Sequence, residues 1–376
     1  MMDKATRTED RESNRRFYVL DGFRGIAAII VVLFHYLGPD NYAFLSNSYI
    51  AVDLFFVLSG FVIYHSYADR VRSGMKGGRF INLRFSRLAP TVAVGVFLGA
   101  GATLAHYAAT GREVDMSRFL LAHAGHLLFI PDLVDYHVPQ TGIYELFPSN
   151  GPLWSIFFEF VASVCFIWFA RIPRKGLWLY SLLSFAVLLA GCYYVMLTTG
   201  RALSPGVGFS PATFYLGFPR VFGAFFAGMA IYALTQEGRQ PIIHSSPLLQ
   251  SSALTLAVYT LISAVLLFPD PLSGIYPFLA IIAFCPALIA LGGILAPEAR
   301  WLRASSDYLG QLSFPLYCVH EPVRVLVTTH FSNMSWSLQI LLAFGLAMAF
   351  SAFVLLVFDW LRVRQNLSAI LKPVTG

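Results

Sequence analysis

Five stretches of this sequence put ionisable or hydroxyl side chains inside otherwise apolar runs. Arg24 and His35 lie eleven residues apart in LDGFRGIAAIIVVLFHY. At about 100° per residue, eleven helical steps return to within about 20° of the starting face, and a rise of about 1.5 Å per residue separates the two by roughly 16 Å. A guanidinium at one end of that stripe suits an anion, and an imidazole at the other can accept a proton near neutral pH. Asp53 opens the next run, AVDLFFVLSGF. The hairpin between the two runs is short, which predicts Asp53 and His35 at similar depth on neighbouring helices. An Asp–His pair fixes the imidazole tautomer and raises its basicity, as a general base requires. The same pair could equally be a helix–helix hydrogen bond without chemistry.

Arg84 and Arg87 stand three apart in LRFSRLAP, with Pro90 expected at the start of a third helix. Paired guanidinium groups match phosphate bidentately, and they also serve as plain membrane anchors. PLWSIFFEF supplies Trp154, Ser155 and Glu159. Trp154 suits substrate binding or an interfacial belt, and Glu159, about seven residues into its run, suits orienting His35 or pairing with a cation on a neighbouring helix. LGQLSFPLYCVHEPVR brings Ser313, Tyr317, His320, Glu321 and Arg324 together, with Pro315 and Pro322 predicted to free backbone carbonyls along a cavity. Ser313 and His320 are candidate substrate contacts; the alternative is a polar cluster that satisfies itself. His123 and His126 form an HxxH with no third ligand in view, so no metal site is expected. Cys165, Cys192, Cys285 and Cys318 all sit in apolar runs and read as packing residues.

The elements that must position these groups follow from composition. Of 376 residues, 57% are hydrophobic and only 12% charged, about half the charge of a soluble domain. That is too little charge to cover a water-facing surface, so lipid must solvate most of the exterior. Net charge is +6, but the basic residues cluster between apolar runs, a membrane-orientation pattern rather than a nucleic-acid surface.

A spanning helix needs about 20 apolar residues. Ten runs qualify: 17–37, 50–68, 90–109, 152–170, 177–197, 214–235, 250–268, 276–294, 308–330 and 338–361. An eleventh, 118–131, is short and reads as re-entrant or lying at the outer surface. With the N-terminus cytoplasmic, ten crossings put every basic loop inside, including Arg70, Arg72, Lys76 and Arg79 after the second run and Arg171, Arg174 and Lys175 after the fourth. The expected architecture is all-α and polytopic: a cytoplasmic tail over 1–16, a membrane domain over 17–361 and a cytoplasmic tail over 362–376. The outer loop 131–151 is acidic and aromatic, which suits either a linker or a platform for a polyhydroxyl acceptor.

Five of these motifs, LDGFRGIAAIIVVLFHY, VDLFFVLSGFVI (52–63), RFSRLAP (84–90), PLWSIFFE (152–159) and GQLSFPLYCVHEP (310–322), resemble in content and order those of the acyltransferase-3 family of membrane O-acyltransferases. The resemblance covers about 300 residues. It implies about ten helices and a cytoplasmic acyl-CoA donor, commonly acetyl-CoA, with no permanently bound cofactor. It implies a carbohydrate acceptor such as exopolysaccharide, lipopolysaccharide or another envelope glycan, in a cell inner membrane. By that resemblance Arg24 and His35 are required, Arg84 and Arg87 handle the donor, and Glu159 is the family's acidic residue. This chain departs from the family in having Phe314 where a tyrosine is common, and the C-terminal hydrolase-like domain that some members carry is not expected here. The resemblance thus implies chemistry completed in the membrane domain or with a partner.

On this reading Arg84, Arg87 and Arg24 hold CoA phosphates, and the thioester reaches His35, with Asp53 or Glu159 orienting it. Direct transfer and an acyl-histidine relay both remain open. A proton-coupled transporter would use the same residue types, but the chain shows no inverted repeat; a membrane-embedded sensor or assembly subunit is the third class. No motif names the acceptor or the oligomeric state.

Overall fold

The computed structural model describes residues 16–38, 41–133, 145–235, 246–269 and 274–370, the last nine of these by backbone alone. Each of the ten apolar runs forms a helix, and the short eleventh run does too. In chain order they are α1 (Tyr18–Leu37), α2 (Ala51–Arg72), α3 (Gly77–Thr110), α4 (Met116–Leu127), α5 (Leu153–Phe169), α6 (Arg174–Thr199), α7 (Phe214–Thr235), α8 (Ser252–Leu267), α9 (Ile275–Ile294), α10 (Arg300–His330) and α11 (Trp336–Ile370). No strand occurs among the described residues.

Seven of them, α1, α2, α3, α6, α7, α9 and α11, are long and apolar enough to cross a membrane. Helices α5 and α8 are apolar but shorter, at 17 and 16 residues. Helix α10 has ample length, 31 residues, but carries the densest set of polar side chains. Helix α4 has 12 residues, capped by Asp115 accepting from the Arg118 N–H.

Helix α3 differs from its expected bounds. Pro90 does not start it but lies inside it, and Arg84 and Arg87 occupy helical turns rather than a preceding loop. A proline removes one backbone hydrogen bond, which a long apolar helix tolerates when neighbouring groups satisfy the freed carbonyl.

The bundle has a layered interior. Helix α1 packs along α10, α2 along α7, α6 along α7, and α10 along both α3 and α11. Of their apolar windows, 78% of α2 and 72% of α7 are buried, against 17% of α6 and 22% of α11. The outer helices expose Leu182, Leu183, Leu197, Leu341 and Leu356, an apolar surface that only lipid solvates well. The α2–α7 seam is tight because glycine lines it: a Cβ on Gly60 would strike the Phe225 carbonyl, and one on Gly228 the Val57 carbonyl.

Candidate active site

Arg24, Arg84 and Arg87 come together, from α1 and α3, on the wall of a cavity of about 280 Å³ enclosed by α1, α2, α3, α5, α10 and α11. Two carboxylates, Glu159 and Asp359, share that wall. Arg84 is 4% exposed. Its Nη2 donates to Glu159 Oε1 at 3.1 Å, and Ser59 Oγ donates to the same oxygen at 2.8 Å. The Arg84 Nε–H is buried with no partner. A buried donor without an acceptor costs about 1–3 kcal/mol, so this atom marks a place where an anionic or carbonyl oxygen is wanted.

Arg24 is steered by α10. Its Nη2 donates to the Gly310 carbonyl at 2.6 Å, its Nε lies 3.4 Å from Ser313 Oγ, and Asp21 flanks it at 3.5 Å. Ser313 lines the same cavity, beside Phe314.

A second cluster lies at the other end of α1. His35 Nδ1 faces the Val31 carbonyl at 2.9 Å. His320, fully buried, turns its Nδ1 to the carbonyls of Leu316 and Tyr317 at 3.1 and 2.9 Å. Carbonyl oxygens only accept, so both Nδ1 atoms carry protons. His320 Nε2 is then a lone pair, 3.3 Å from His35 Nδ1, and accepts from it. This leaves His35 Nε2 as the free basic atom of the pair. Glu321 and Arg324 form a two-pronged ion pair within electrostatic reach of both rings, the Nε arm measuring 2.9 Å. Tyr36 anchors the turn by donating to the His320 carbonyl at 2.8 Å.

The α10 prolines help build this cluster. Pro322 has no N–H to offer the Cys318 carbonyl, one turn back. Asn150 takes the vacancy, donating Nδ2 to Cys318 O at 2.8 Å and to Gly95 O of α3 at 3.1 Å. The loop before α5 is thus fastened over the turn that bears His320.

The two clusters are not open to one another. His35 is absent from the cavity wall, which ends at Phe55, Ser155 and Tyr317. Tyr317 packs edge-on against Phe55, its hydroxyl 2.7 Å from Ser155 Oγ, and its ring centroid is 5.9 Å from that of His320. One aromatic layer separates the arginine-lined cavity from the histidine pair.

Four expectations are corrected. Asp53 does not meet His35: α2 faces α7, and Arg220 grips both Asp53 oxygens at 2.8 and 2.7 Å in a fully enclosed pair. Glu159 belongs to Arg84 and Ser59 rather than to the imidazole. Trp154 is neither a cavity residue nor a surface belt; it is 9% exposed and stacks over Arg220, 5.2 Å from ring centroid to guanidinium. His320 contacts His35 rather than the cavity. Arg220 went unremarked in the sequence, although a lone cation in the apolar run 214–235 is the signal that an anion must lie nearby.

A family model described as an acyltransferase domain matches residues 17–357. Over 173 residues the chain is 34% identical to "Protein 2 in picA locus" of Rhizobium radiobacter, a match covering 43% of this chain and 86% of that protein. No solved structure matches.

Proposed function

The chain belongs to the acyltransferase family whose model spans residues 17–357, and from that membership we propose that it moves an acyl group, acetyl in the first instance, from cytoplasmic acyl-CoA to a carbohydrate hydroxyl. The observation that carries this reading is the buried, unpartnered Arg84 Nε on a wall where three guanidinium groups meet two carboxylates. Such a wall wants anionic oxygens, and CoA brings several. The proposal includes ten crossings of the cell inner membrane with both termini cytoplasmic, which sets the mouth of the cavity toward the cytosol.

In this scheme the CoA phosphates lie against Arg84, Arg87 and Arg24, and the pantetheine arm runs along α1. Tyr317 swings off Ser155 to admit the thioester to the histidine pair. His35 Nε2 removes the proton of the acceptor hydroxyl as its oxygen attacks the thioester carbon. The C–S bond then breaks, and the departing thiolate takes the proton back from His35. The products are the acyl ester and free CoA, with no net change in the enzyme. His320 holds the His35 Nδ1 proton throughout, so that Nε2 stays available. Glu321 and Arg324 neutralise each other and soften the charge that develops on the imidazole.

Two variants test donor and base separately. His35→Ala is expected to abolish acyl transfer, a loss of about 10²–10⁴-fold or more, at normal protein level. Arg84→Ala is expected to raise the acyl-CoA KM about tenfold or more while kcat falls less. Transfer by the His35 variant at the wild-type rate would remove the base, and an unchanged donor KM in the Arg84 variant would remove the phosphate site.

A further inference from the structure

The outer loop that enters α5 carries a polar group that the scheme above does not use. Residues 145–152 are firmly held. Leu146 N–H donates to the Phe209 carbonyl at 3.0 Å, the Leu146 carbonyl accepts from the Asp132 N–H at 2.8 Å, and Asn150 ties the loop to α3 and α10. Leu146 and Phe147 are buried. Within this rigid frame the Glu145 carboxyl lies folded over Gly151, so closely that a Cβ on Gly151 would overlap it. It lies within electrostatic reach of Glu321 and Arg324, the ion pair that borders His35 and His320.

Glu145 is half-buried and makes no hydrogen bond among the described residues. Arg324, the cation within electrostatic reach of it, is already gripped on two prongs by Glu321. The same loop leaves Asn150 Oδ1 buried and unpartnered. Buried polar groups are almost always hydrogen-bonded, so an unsatisfied carboxyl on a fixed loop, within electrostatic reach of the ion pair beside His35 and His320, suits a hydroxylated ligand. Burial and the Glu321 carboxylate push the Glu145 carboxyl up to about 8. At neutral pH it then offers an O–H donor and a C=O acceptor side by side, which matches a hydroxyl or a vicinal diol.

We infer that Glu145 is the acceptor-positioning residue: the carbohydrate docks on the loop 145–151, and Glu145 holds one of its hydroxyls toward His35. The inference rests on the acyltransferase reading above. It assigns the outer end of the site to a polyhydroxyl acceptor, while the inner cavity serves the donor.

The test uses membranes of the producing cell containing the full chain, with radiolabelled acetyl-CoA and label counted in endogenous glycan. Glu145→Ala should lower glycan labelling about tenfold, the scale of one hydrogen bond, with the KM for acetyl-CoA within twofold of wild type. Gly151→Ala should do the same, because its new methyl group displaces the carboxyl. Glu145→Gln keeps an N–H donor and a C=O acceptor, so it should retain most labelling at neutral pH and lack the alkaline fall near pH 8 that is expected of wild type. Unchanged labelling in Glu145→Ala, a matching rise in donor KM, or an alkaline fall that persists in Glu145→Gln each overturns the assignment of Glu145 and leaves the donor site standing. Wild-type membranes that fail to transfer label to glycan from acetyl-CoA overturn the acyltransferase reading and this inference together.

Discussion

His35 Nδ1 carries one proton, and two acceptors compete for it: the Val31 carbonyl at 2.9 Å and His320 Nε2 at 3.3 Å. Both choices protonate the same nitrogen, so the tautomer is fixed twice over. Deleting the His320 ring should therefore weaken catalysis without ending it. We expect His320→Ala to lower kcat about tenfold, well short of the 10²–10⁴ attributed to a general base, with donor KM unchanged. A side-chain carbonyl can accept from His35 Nδ1 as the imidazole does, so His320→Gln should recover much of that loss. Equal damage from both substitutions, or a shift in donor KM, would reduce His320 to a packing residue. The type of residue at 35 and 320 was plain from the chain, but their partnership was not. They are 285 residues apart, and no local spacing relates them.

Helices decide the fate of the intramembrane charges. Asp53 and Arg220 bond across α2 and α7, both essentially inaccessible to solvent. An enclosed ion pair adds little net stability over an apolar pair of the same shape, but losing one member strands the other charge at about 3–5 kcal/mol. Asp53→Ala and Arg220→Ala should each sharply reduce the folded protein recovered in detergent. A double Asp53→Leu/Arg220→Met variant should restore much of it, and recovered protein should retain donor KM. A Glu159→Gln variant offers the contrast, since its partner Arg84 borders a cavity where anions can replace the carboxylate. If Asp53→Ala folded normally and lost only turnover, Asp53 would return to the catalytic set. In α10, the pairing of Pro322 with Asn150 through the Cys318 carbonyl shows how a helix-breaking residue fastens a loop to a helix.

For the whole molecule, orientation ties the parts together. The arginine-lined cavity and the histidine pair lie toward opposite ends of α1, which is 20 residues long, about 30 Å at helical rise and close to one hydrocarbon core. The scheme requires the arginine end to face the cytosol. Single cysteines introduced at Arg70 and Arg171 should react with a membrane-impermeant maleimide from the cytoplasmic side only. A cysteine at Leu133, on the exposed approach to the outer loop, should react only from the opposite side. Labelling of all three from one side would break the proposed ten-crossing topology and, with it, the proposed separation of donor from acceptor.

Hydropathy and charge are properties of short windows, so the ten helical runs, the short α4 and the membrane setting could be read directly from the chain. The candidate groups were legible for a related reason: an ionisable side chain in lipid is costly enough to stand out. Which of those groups would meet was not legible. Partnership depends on which helix lies beside which and on how each is rotated, and both are set by side-chain packing between segments distant in sequence. Close packing of glycines at the α2–α7 seam drew Asp53 to Arg220, and packing of α1 along α10 gave His35 a histidine in place of a carboxylate. Only the tertiary structure could decide those pairings.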